Sequence, residues 1–104
     1  MNQIFVNVSG HHFKAWTYLV ETEQDKTRVI TYSGKIGLPL DELQKHPREF
    51  EKSDEVTEYI HNKIREKKYK KYRTMPADVY FGTIDNREPI LNLVKKIEEY
   101  SCEA

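Results

Sequence analysis

Two stretches of this chain hold residues whose type and spacing suit chemistry. Lys63 to Arg73 reads "KIREKKYKKYR", with seven basic residues in eleven, only Glu66 opposing, and Tyr69 and Tyr72 set between the charges. Cations at that density draw phosphate by releasing counterions, and aromatic rings stack on bases or ribose. A solvated helix end whose tyrosines close the core would read the same way. Earlier, "ITYSGKIG" spends two of the chain's four glycines around Lys35, at Gly34 and Gly37. Glycine opens backbone conformations closed to other residues and permits close approach. The pair either shapes a turn or presents Lys35 to something outside the protein.

Other chemistries lack their constellations. His11 and His12 are adjacent and so point apart in extended chain. His46 and His61 share no metal-ligand spacing with them, so no metal is expected. Ser33 has no evident base and no nucleophile-elbow context. Asp41 with Glu42, and Asp54 with Glu55, form acidic pairs of the kind a charge-rich surface produces routinely. No catalytic residue and no cofactor is expected, and the chain reads as a non-enzyme.

The 104 residues suffice for one domain, with 38% hydrophobic, 33% charged and 12% aromatic residues. The aromatic content supports a folded core despite low mean hydropathy. Seventeen basic and seventeen acidic residues cancel, which leaves local runs to decide what the surface attracts. The single cysteine, Cys102, rules out an internal disulfide. With no long apolar run and no signal-like segment, the expectation is a cytoplasmic protein without membrane association.

Elements must position these residues. Ile4–Ser9 alternates Ile4, Val6 and Val8 on one face, and Phe13–Glu21 alternates aliphatic and aromatic residues, so both read as strands. Thr22–Lys26 is polar and turn-like, and the β-branched Thr27–Ser33 should pair back on Phe13–Glu21. Leu38–Lys52 carries two prolines and reads as a loop with a short helical turn around Asp41–Lys45, anchored by Phe50. Asp54 to Lys70 reads as a helix. Ser53 and Asp54 start it, Glu55 complements its dipole, and Val56, Tyr59, Ile60 and Ile64 form its apolar stripe. After Pro76, Asp78–Ile84 reads as a strand. Asp85–Tyr100 reads as a second helix burying Ile90, Leu93, Val94 and Ile97. The expected class is α+β: a small antiparallel sheet packed by one main helix, with an added C-terminal strand and helix.

These pieces together resemble the WGR domain family. "FKAWTYLVE" stands for its aromatic-bearing strand, and Ser33-Gly34-Lys35-Ile36-Gly37 for its Trp-Gly-Arg-Ile/Val-Gly signature. Phe50 and "KSDEV" match its phenylalanine and helix start. Glu66-Lys67-Lys68 leading to Lys71-Tyr72 matches its Glu-Lys-rich turn and Gly-Tyr. The resemblance covers Phe13 to Tyr72, so residues 1–104 are expected to form a single WGR-like domain with a family-like core at 13–72 and a β-α extension at 78–104. Ser33 replaces the signature tryptophan and Lys35 the arginine. Serine cannot stack, and lysine meets phosphate as a point charge rather than a bidentate fork.

The resemblance implies a non-catalytic module that binds nucleic acid mainly through phosphate contacts. Lys35, Lys67, Lys68, Lys70, Lys71 and Arg73 would supply charge, and Tyr69 or Tyr72 would stack. The alternative is a protein–protein interaction or adaptor domain, monomeric or dimeric, which zero net charge, the lost tryptophan and the extra C-terminal helix favour.

Overall fold

The alternating segments form three strands of one antiparallel sheet: β1 (Gln3–Asn7), β2 (Lys14–Glu23) and β3 (Lys26–Lys35). This computed structural model describes residues 2–9 and 11–100; Cys102 lies outside them. β4 (Gln44–Phe50) pairs with β3, and β5 (Arg73–Pro76) pairs with β1. The strand order is therefore β4-β3-β2-β1-β5. Helices α1 (Ser53–Tyr69), α2 (Ala77–Asp85) and α3 (Ile90–Tyr100) complete an α+β fold.

The sheet is covered on both faces because its strands alternate two apolar sets. Phe5, Trp16 and Tyr18 line one face, with Phe5 and Trp16 edge-to-face at 5.4 Å between ring centroids. On that face α1 packs Val56 onto Val29 and Phe50, with Tyr18, Tyr59 and Ile60 alongside. On the other face Ile4, Val6, Ala15 and Met75 meet Ala77, Tyr80, Leu93 and Ile97 of the C-terminal helices. Beside that cluster, Ile30, Tyr32 and Leu43 bury against Leu38, Leu40 and Phe81. The C-terminal helices thus supply one wall of the cluster that holds most of the largest fully buried side chains.

Several sequence expectations need correction. Asp78–Ile84 is not a strand but most of helix α2. Its Val, Tyr, Phe, Thr and Ile favour strands locally, yet Ala77, Tyr80 and Thr83 are the buried residues, and a spacing of three makes one face of a helix. The strand in this region lies earlier, at Arg73–Pro76, where it takes the free edge of β1.

Leu38–Lys52 is likewise more than a loop. A 3₁₀ turn occupies Leu40–Glu42, and β4 follows directly. Six of the seven β4 residues are exposed, so the strand has no apolar alternation to betray it. Pro47, opposite Ile30, is tolerated because β4 is an edge strand.

The Thr22–Lys26 turn narrows to Gln24 and Asp25, with Gln24 at φ +55°. The last helix begins at Ile90 rather than Asp85. Leu93 and Ile97 are buried there, Val94 is half-buried, and Ile90 is 49% exposed.

The glycines around Lys35 do different jobs. Gly34 and Lys35 are still strand, paired with Ala15 and Lys14, and the chain turns only at Ile36 and Gly37. A Cβ on Gly34 would stand 2.8 Å from Leu43 Cδ2, so the returning chain packs onto the bare backbone. Gly37 has φ +103° and needs the left-handed region. Its N–H donates to the Tyr80 hydroxyl at 3.1 Å, which ties the turn to α2. Burial pushes that hydroxyl up to about 12, while the bond from Gly37 pulls it down.

Candidate nucleic-acid interface

The basic run spans the last turns of α1 and the entry to β5, and its geometry is set by how the helix stops. The Tyr72 N–H donates to the Lys67 carbonyl at 3.0 Å and the Lys71 N–H to the Lys68 carbonyl at 3.0 Å. This pair of bonds is the Schellman closure, with Lys71 in the left-handed position at φ +70°. Glycine normally fills that position, and the WGR pattern has glycine there. α2 ends in the same way, with Arg87 at φ +55° and Glu88 donating to the Thr83 carbonyl at 3.2 Å.

Asn7, buried in β1, fixes the helix end to the sheet. Its Nδ2 donates to the Lys70 carbonyl at 3.1 Å, while its Oδ1 accepts from the Ser9 amide and hydroxyl at 3.0 and 2.7 Å. Sequence reasoning missed Asn7, because a lone asparagine at a strand end reads as turn chemistry.

The structure divides the basic run into inward and outward residues. Lys67 lies half-buried over two rings, 5.4 Å from the centroid of Trp16 and 5.0 Å from that of Tyr72. Desolvation holds its ammonium below the usual lysine range; the charges of Lys70, Lys63 and Lys14 push the same way, against Glu66. Tyr72 is half-buried under Lys67, and burial raises its hydroxyl. Lys67 and Tyr72 therefore hold the helix end against the sheet. Lys70 pairs with Glu66 at 3.2 Å, and that hydrogen bond, more than the neighbouring lysines, holds the Glu66 carboxyl below its usual range. Lys68, Lys71 and Arg73 are exposed, and Tyr69 shows 86% of its surface.

Lys35 joins this group through the sheet. It is exposed at the end of β3 and pairs across the ladder with Lys14, whose charge acts on Lys67. Ser33, at the signature tryptophan's position, stands opposite Trp16 of β2. An aromatic ring thus occupies this face after all, but it comes from the neighbouring strand and lies buried beneath Lys67. Tyr32 faces the opposite side and is buried with Ile30 and Leu43.

Net neutrality conceals a strong polarity. α1 has Asp54 and Glu55 in its first turn, packs Val56 on Phe50 and ends with Lys67 over Trp16, so it runs along β3 from the β2–β3 turn toward Ser33. Around the β2–β3 turn, at the helix's starting end, Glu21, Glu23, Asp25 and Glu49 outnumber Lys26 and Arg28 around a hollow. Acidic residues thus predominate around the β2–β3 turn and basic ones around the end of α1.

Among the described residues, no group of three His, Cys, Asp or Glu side chains is placed to hold a metal ion. No helix there is long and apolar enough to cross a membrane. No family model, curated protein or solved structure matches the chain, so the resemblance to the WGR domain rests on the quoted residues alone.

Proposed function

We propose that this protein is a non-catalytic, WGR-like module that binds nucleic acid through phosphate contacts at its basic end. The observation that supports this reading is that exposed Lys35 stands across the ladder from Lys14, whose charge acts on Lys67 at the C-terminus of α1, so that cations from two distant stretches of sequence lie on the same face. Lys35, Lys68, Lys71 and Arg73 make the phosphate contacts. Tyr69, whose ring is largely free of the protein, stacks on a base or ribose. Lys67 and Tyr72 position the helix end, and Lys70 is shared with Glu66.

Fluorescence anisotropy with short duplex DNA, single-stranded DNA and RNA tests the proposal. Contacts to about four phosphates give a log–log salt slope of about −3, or roughly a hundredfold loss between 50 and 200 mM salt. Absence of binding to all three at low salt would overturn it.

The left-handed position of Lys71 supplies a sharper test. Replacing it with glycine relieves a backbone penalty of about 1–2 kcal/mol, partly offset by glycine's greater freedom in the unfolded chain. Lys71→Gly should therefore raise stability by about 0.5–1 kcal/mol while weakening nucleic-acid binding. Arg87→Gly, at the matching position of α2, should stabilise equally and leave binding unchanged. Equal effects of the two variants on binding would remove Lys71 from the interface.

A further inference from the structure

An uncovered stretch of strand edge on β2 lies beside an apolar groove. β2 pairs with β3 along its whole length, down to Glu23 with Lys26, but on its other side β1 pairs only with Lys14–Trp16. The Gln3 carbonyl accepts from the Thr17 hydroxyl at 2.7 Å, which marks where β1 gives out. Beyond it, the outer edge of Leu19–Glu23 faces no strand among the described residues. A groove of about 440 Å³ opens at this corner, lined by Asn2, Gln3, Phe5, Tyr18, Leu19, Val20 and Ile64, with Asn2 across from Leu19 by register. Val20 is 41% exposed.

Proteins usually blunt such edges with lysine, proline or a covering element. β4 does so with Lys45, Pro47 and Arg48. The open stretch of β2 reads Leu-Val-Glu-Thr-Glu; it carries neither lysine nor proline, and its charges are the two glutamates, Glu21 and Glu23.

We infer that the Leu19–Glu23 edge of β2 is a strand-addition site for an extended peptide segment of a partner protein that alternates basic and apolar residues. The pleat dictates the alternation. Tyr18 and Val20 point to the groove face, so residues of an added strand on that side enter apolar surroundings. Glu21 and Glu23 point to the opposite face, where lysine or arginine on the incoming strand would meet them. Their existing cross-strand neighbours are Arg28 and Lys26 of β3, so a basic residue on the outer side extends a pattern the sheet already uses. A second copy pairing through this same stretch brings no lysine or arginine to meet Glu21 and Glu23. Antiparallel self-pairing of this stretch centred on Glu21 sets Glu21 against Glu21, and like charges directly opposite are unfavourable. The site uses none of Lys35, Lys68, Lys71 or Arg73 and does not rest on nucleic-acid binding.

The test is a fluorescein-labelled peptide of alternating lysine and valine, titrated by anisotropy and followed by amide shifts in proton–nitrogen NMR. A same-composition peptide with its lysines and valines in separate blocks, and one with a central proline, serve as controls. The alternating peptide should bind at least about tenfold more tightly than either control, because only it satisfies the ladder and both faces. The largest amide shifts should fall on Leu19–Glu23. Glu21→Lys/Glu23→Lys, a surface change that spares the core, should reverse the preference toward a glutamate–valine peptide. Val20→Arg should weaken binding about tenfold with an unchanged circular dichroism spectrum. Equal affinity for all three peptides, shifts confined to β4, or an edge already occupied by self-association in sedimentation would each overturn the assignment.

Discussion

Ile97→Ala should destabilise the protein by about 2–5 kcal/mol, a large share of the roughly 5–15 kcal/mol that holds a domain of ordinary stability together. Ile97 is completely buried and packs in one cluster with Ile4, Val6, Met75 and Tyr80. Truncation there removes apolar contacts and leaves a cavity that close-packed neighbours on a sheet fill only in part. Leu91, six residues earlier on the same helix and 60% exposed, is the internal control: Leu91→Ala should change stability by no more than about 0.5 kcal/mol. Urea unfolding read by circular dichroism measures both. A small effect at Ile97, equal to that at Leu91, would mean that α3 docks loosely and that residues 2–76 hold the fold without it. A cooperative loss of the whole signal at much lower urea would show the C-terminal helices to be part of one core.

Lys68→Glu/Lys71→Glu should weaken nucleic-acid binding roughly a hundredfold at low salt and reduce the magnitude of the salt slope by about 2. Both side chains are exposed, so the fold has no stake in their charge beyond the helix dipole, and the circular dichroism spectrum should not change. The reversal alters net charge as well as local charge. Lys26→Glu/Lys52→Glu imposes the same net change at the acidic end, where Lys26 opens β3 and Lys52 precedes α1. A ten-residue strand spans about 33 Å, more than three Debye lengths at 0.1 M salt. The distant variant should therefore bind almost as the wild type does. Full binding by the Lys68/Lys71 variant would sink the proposed interface, and equal losses in both variants would reduce the effect to bulk charge.

Much of the architecture was legible in the sequence, and the exceptions share a cause. β1, β2, β3 and α1 each carry an apolar pattern with the period of their own backbone, so local sequence and final burial agree. β4 is an edge strand that buries only Phe50, and it hides in a charged, proline-bearing stretch. α2 hides for the opposite reason. Its residues favour strands, and they become helical because β5 has filled the sheet edge and the next chain segment must cover the sheet's face.

The candidate site shows the same division. That Lys63–Arg73 is a basic, tyrosine-bearing helix end follows from composition and period alone. Which of its cations face solvent does not, since Lys67 and Lys68 are neighbours in sequence and differ only in where the helix presses on the sheet. The rings beneath Lys67 come from β2 and from the entry to β5, and Asn7 of β1 anchors the turn. These contacts join residues far apart in the chain, and the periodicity of one segment holds no information about another's position.

The sequence by itself determined the periods, the helix end and the density of positive charge, because each depends on residues within a few turns of one another. Only the tertiary structure decided that Lys35 lies across the ladder from Lys14, whose charge reaches Lys67, that the buried ring beside Ser33 is Trp16, and that acidic residues gather around the β2–β3 turn. Those outcomes depend on strand register and on the direction α1 takes across the sheet. Both are fixed by the burial of two opposite apolar faces at once.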